Sequence, residues 1–114
     1  MRTAALPGAA YDLWHDRALF HFLTEPADRT AYLRQLRHAL KPTASVIIAA
    51  FAPDGPTRCS GLPVCRYSPA DLARELGPGF VLLESAQELH RTPAGSVQSF
   101  TWACFRRSET QAIE

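Results

Sequence analysis

The sequence predicts an α/β domain: parallel strands alternating with helices, closed by a hairpin that adds an antiparallel strand. Three observations carry this. The run Ser45-Val46-Ile47-Ile48-Ala49-Ala50-Phe51 is apolar without alternation, as in a strand covered on both faces of a parallel sheet. A capped helix follows at 69–76. Two strand-like segments, 80–89 and 97–106, then flank Thr92-Pro93-Ala94-Gly95 and are close enough to pair as a hairpin. Strand–helix–strand order implies right-handed crossovers with helices on the sheet faces.

Taken in order, Tyr11-Asp12-Leu13-Trp14 reads as a short buried strand that ends in the polar triplet His15-Asp16-Arg17. Residues 18–23 form a mixed apolar stretch that fits one helical turn. Thr24-Glu25-Pro26 opens a helix, since proline is tolerated at its first position. Tyr32, Leu33, Leu36 and Leu40 fall on one helical face and Arg29, Arg34, Gln35 and Arg37 elsewhere, which is the pattern of a helix laid on a sheet. Residues 52–67 hold prolines, glycines and two cysteines, and a loop of this length in a small domain carries function or disorder. Ser68-Pro69-Ala70-Asp71 is a variant capping box, and Gly77-Pro78-Gly79 stops the helix it opens. Residues 1–10 and 108–114 read as flexible tails of a single domain spanning 1–114.

With 114 residues, 46% apolar and 20% charged, the chain has the composition of a globular protein. The sequence shows no membrane-spanning run and no leader-like start. A net charge of +1 with dispersed arginines gives no reason to expect nucleic acid. Three cysteines, an odd number, argue for reduced thiols and a cytoplasmic protein.

The string Tyr11-Asp12-Leu13-Trp14-His15-Asp16-Arg17-Ala18-Leu19-Phe20-His21-Phe22-Leu23, the helix after it, Leu40-Lys41-Pro42, Phe51-Ala52-Pro53-Asp54-Gly55-Pro56 and Ser60-Gly61-Leu62-Pro63-Val64 resemble the second half of small class I S-adenosylmethionine-dependent methyltransferases. They are most similar to the thiopurine-methyltransferase-like group, whose fourth strand also ends in an Asp-Arg pair. The resemblance covers roughly 11–107. It implies a partial Rossmann-like methyltransferase sheet holding the fourth to seventh strands, with the last inserted antiparallel between the fifth and sixth. It also implies S-adenosyl-L-methionine as cofactor, a small-molecule methyl acceptor, and a truncated chain that needs its first half. No Gly-x-Gly turn follows a strand and opens a helix in this sequence, although that turn approaches the cofactor in the family. The usual Lys-Pro-Gly-Gly turn reads Lys41-Pro42-Thr43-Ala44 here, which loses glycine where a positive φ is expected.

Ligands of open α/β sheets sit beyond the carboxyl ends of the strands. Asp16 and Arg17 are therefore the candidate catalytic residues. Asp16 or His15 would steer the acceptor's proton, and Arg17 would grip an acidic acceptor. The alternative is that Asp16 and Arg17 pair with each other or cap the next helix. Trp14 and His15 are the expected cofactor contacts, and Leu62 and Pro63 the expected acceptor-binding residues, in a loop that closes as a lid. His21 reads as a packed or hydrogen-bonded histidine. Cys59 and Cys65 lack zinc-site spacing, so no metal is expected, and Cys104 reads as a small core residue. A thiol enzyme using Cys59 is the weakest alternative. The stronger one is a non-catalytic remnant or self-associating module that dimerises through its exposed first strand.

Overall fold

The computed structural model describes Gly8 and residues 11–108. The expected tails 1–10 and 108–114 therefore lie outside the described residues, except for Gly8 and Ser108. The elements in chain order are β1 (Tyr11–Arg17), a 3-10 turn (Phe20–Phe22), α1 (Pro26–Ala39), β2 (Leu40–Phe51), the two-residue strands β3 (Arg58–Cys59) and β4 (Leu62–Pro63), α2 (Pro69–Leu76), β5 (Phe80–Arg91) and β6 (Val97–Arg107).

The four long strands form one sheet in the order β1-β2-β6-β5. β1 runs parallel to β2, while β6 is antiparallel to both β2 and β5. The last strand is thus inserted between its predecessors, in the order that the resemblance implies. β3 and β4 pair separately as a small hairpin inside the 52–67 loop. No described helix is long and apolar enough to cross a membrane.

Strand pairing moves two boundaries away from the sequence reading. β1 continues through His15, Asp16 and Arg17, because those residues pair with Ile47, Ile48 and Ala49. β2 begins at Leu40, so Leu40 does not finish the helical face: it leaves α1 in extended conformation, its N–H still bonded to the Leu36 carbonyl, and starts the strand. Between the pairs Tyr11/Leu40 and Leu13/Ser45, β2 advances five residues against two on β1, so a bulge absorbs the extra length. Thr43 and Ala44 sit in that bulge with no positive φ, so the glycine normally found there is not required.

α2 matches its sequence signals. Ser68 and Asp71 cap it reciprocally, and Gly77 ends it at φ +87°, a conformation nearly free of cost only for glycine. The helices cover one face of the sheet. There Phe20, Tyr32, Leu36, Leu72 and Leu76 pack on Val46, Ile48, Ala103 and Phe105. The opposite face carries a smaller cluster of Ala49, Phe51 and Phe100, with Cys59, Val64 and Trp102 against it.

Candidate functional site

Strand periodicity sorts the polar triplet of β1 onto different faces, because successive side chains alternate. Asp16 points beneath the helices and is 4% exposed. Its carboxylate accepts the N–H groups of Leu19 (2.8 Å) and Phe20 (3.0 Å) and the Tyr32 hydroxyl (2.5 Å). The Trp14 Nε1–H in turn donates to the Tyr32 oxygen at 2.8 Å. Of the two structural alternatives to a catalytic Asp16, pairing with Arg17 and capping, the structure displays the cap.

Burial holds the Asp16 carboxyl above its ordinary value of 3.8, partly offset by these hydrogen bonds. Burial, reinforced by the Asp16 charge, drives the Tyr32 phenol well above the usual range. The cap also supports Ala18, which turns the chain off the strand at φ +63° with its N–H on the Ala49 carbonyl (2.8 Å). A non-glycine residue there costs about 1 kcal/mol.

Arg17 and His15 face the other way and are exposed. The Arg17 guanidinium lies 5.8 Å from the centre of the Phe100 ring. His15 stacks on Trp102 at 6.2 Å and 26°, and the Trp102 Nε1–H donates to Glu88 at 2.7 Å. His90 meets Phe100 edge-on, and Phe51 packs against Phe100 at 5.0 Å. A hollow of about 310 Å³ opens on this face, lined by Ile47, Glu84, Ala86, Trp102 and Cys104. A cleft of about 440 Å³, which shares Ser85 and Ala86 with this hollow, is lined also by Asp54, Ser68, Gln87 and Thr101.

The expected cofactor pair does not converge. Trp14 spends its only donor on Tyr32 beneath the helices, whereas His15 lies on the opposite face. Leu62 and Pro63 are exposed, and Leu62 is 58% accessible. It is instead Val64 and Cys59 that seat the small hairpin on the Ala49, Phe51 and Phe100 cluster. The hairpin's return is fixed by the Cys65 N–H on the His21 carbonyl and the Tyr67 N–H on the Phe51 carbonyl, each 2.8 Å.

His21 is fully buried. Its Nδ1 accepts the Phe51 N–H at 3.1 Å, which puts the ring proton on Nε2, where no partner is found. Burial lowers its pKa to about 4. Sequence reasoning missed the part played by Phe100, Trp102 and Glu88. The available signal was the period-2 array Phe100, Trp102, Cys104 on one face of β6 against Thr101, Ala103, Phe105 on the other.

The described residues do not assemble a cradle for a nucleoside cofactor. The one acid near the end of β1 is consumed by its cap, and no described glycine-rich turn leads directly from a strand into a helix.

No protein-family model and no curated protein matches the sequence. Solved structures do match. An S-adenosylmethionine-dependent methyltransferase from Methanosarcina mazei aligns with a TM-score of 0.75 at 11% identity, over 94% of this chain and 64% of that one. The 1,6-didemethyltoxoflavin-N1-methyltransferase of Burkholderia thailandensis, solved with 1,6-didemethyltoxoflavin and S-adenosylhomocysteine, aligns at 0.70 and 19%, over 94% and 48%. The N-methyltransferase NodS of Bradyrhizobium japonicum aligns at 0.69 and 12%, over 95% and 56%. This chain has the fold of these proteins and spans about half to two-thirds of their length.

Proposed function

We propose that this chain is the acceptor side of an S-adenosylmethionine-dependent methyltransferase acting on a small molecule, of the thiopurine-methyltransferase-like group and cytoplasmic. The other half of the sheet, with most of the cofactor contacts, would come from protein beyond the described residues. The observation that carries this reading is the strand order β1-β2-β6-β5 with β6 antiparallel. The bare face beside Arg17, His15 and Trp102 adds to it. Methyl transfer needs in-line positioning more than acid–base chemistry. In this reading Arg17 and His15 meet the acceptor, and Asp16 acts through the turn that it caps. For the isolated chain we further propose that two copies associate through β1, whose outer edge has no partner strand among the described residues.

Calorimetry with S-adenosylmethionine tests the half-fold reading. The chain alone should bind weakly, with Kd above about 100 µM, or roughly −5.5 kcal/mol. Low-micromolar binding by the chain alone would contradict it. A chain extended by a half that carries the glycine turn should reach low-micromolar affinity, and no binding by that extended chain would overturn the methyltransferase reading itself.

A further inference from the structure

Four arginines belong to the carboxyl ends of β1 and β5 and to the 52–67 loop, and three of them are occupied by backbone. Arg58 donates to the Gly61 carbonyl (3.0 Å), Arg66 to that of Gly55 (3.1 Å) and Arg91 to that of Gly95 (3.5 Å). Arg17 differs. Among the described residues it makes no ion pair, and its guanidinium is laid over the Phe100 ring. A guanidinium resting on a ring keeps the N–H fork along its edge available for a planar anion. It also loses less conformational freedom on binding than a solvated chain would.

The surroundings are fixed too. The Asp16 cap and the left-handed Ala18 set where β1 ends, while Phe51 braces Phe100 from below. Flat surfaces flank the cation, with His15 stacked on Trp102 on one side and His90 against Phe100 on the other. The acids of this face, Glu84 and Glu88, stand across the sheet on β5, and Glu88 is engaged by Trp102. The Arg17 guanidinium therefore stands on the β1 side and the two carboxylates on β5, with aromatic rings between them.

We infer that Arg17 is the anion clamp of this site and that its ligand is a flat, unsaturated molecule bearing a carboxylate. The carboxylate is taken bidentate by Arg17, and the ring lies along Trp102 and Phe100. The inference rests on the acceptor-side reading above and names the substrate class of that same site.

Nuclear magnetic resonance titration of the full chain with benzoate, and with benzamide as its uncharged isostere, tests the clamp. Benzoate should shift the Arg17 Nε–H and the ring signals of Phe100 and Trp102 in a saturable manner, and benzamide should bind about tenfold more weakly or worse. Arg17→Gln should lose benzoate binding by a similar factor with an unchanged circular dichroism spectrum and Tm, and Arg17→Lys should recover part of it. Equal binding of the two probes, shifts confined to Arg58, Arg66 or Arg91, or wild-type affinity in Arg17→Gln would each overturn the clamp. The cofactor titrations report separately. Benzoate selectivity at Arg17 without cofactor binding by the extended chain would leave the clamp and remove the methyltransferase reading, and the converse would remove the clamp alone.

Discussion

The two faces of β1 differ more than their sequence separation suggests. Trp14 and Asp16 point under the helices, where Trp14, Tyr32 and Asp16 form a closed hydrogen-bonded set that also holds the turn to Phe20. Leu13, His15 and Arg17 point to the bare side, where the contacts are a stacked ring and a cation over an aromatic face. Neighbours in one strand thus have separate work. Substitution on the covered face should register as lost stability, and substitution on the bare face as lost binding or association.

The largest effect is expected at Asp16. Asp16→Ala removes the acceptor for two backbone N–H groups and leaves the Tyr32 hydroxyl without its acceptor. Losing the cap costs about 1 kcal/mol and orphaning the buried donors about 1–3 kcal/mol, so about 3 kcal/mol in total is expected from urea unfolding. Asp16→Asn, which keeps one acceptor oxygen, should lose less. The pH dependence adds a second reading. Since the folded carboxyl titrates above 3.8, the folded state holds the proton more tightly than the unfolded chain. The associated stability is complete below 3.8 and lost as pH rises through the folded pKa. The Asn variant should lack this decline. An Asp16→Ala protein as stable as wild type would mean that the covered face does not depend on the cap.

His21, on the border between the two clusters, should give the opposite pH slope. Its pKa falls from 6.5 to about 4 on folding, so its neutral form supports the fold. That support is complete above 6.5 and lost as pH falls toward 4, up to about 3 kcal/mol. His21→Phe keeps the ring packing against Phe22 and Phe51 and should be less stable at pH 7 by about 1 kcal/mol, because the Phe51 N–H loses its acceptor. Between pH 7 and 5, however, the variant should lose less stability than wild type. Parallel slopes in the two proteins would remove His21 as the titrating group.

Much of the fold was legible in the sequence, where local signals agree with tertiary demand. The 45–51 strand, the Ser68/Asp71 cap and the terminal hairpin are set by β-branched content, capping chemistry and turn residues. The extension of β1 to Arg17 was not legible, because strand pairing carried polar residues into the ladder. The site was legible only in part. The triplet His15-Asp16-Arg17 stands out in the sequence, but whether a residue faces helices or solvent depends on a register that a four-residue strand does not define. Phe100 and Trp102 read as ordinary strand aromatics, since nothing local to β6 announces an Arg or a His arriving from a strand some eighty residues earlier.

The smallest effect on stability is expected at Leu13, which shares the bare face with Arg17 and is 52% exposed on the outermost strand. An edge strand with apolar side chains and unpaired backbone groups invites pairing with another edge, and natural sheets blunt such edges with lysine. The only described ion pair on β1 is Asp12 with Lys41 at 3.3 Å, a solvent-exposed contact too weak to guard the edge. Sedimentation of the isolated chain should therefore show an average mass that rises with concentration. Leu13→Lys should weaken that association roughly tenfold, about 1.4 kcal/mol, with little change in unfolding free energy, since the side chain supports no part of the core. If wild type and Leu13→Lys associate alike, the contact lies elsewhere, and β5, whose Leu83 and Leu89 are 52% and 69% exposed, becomes the edge to charge next. A monomer at every concentration would show that the outer edge of β1 is not adhesive.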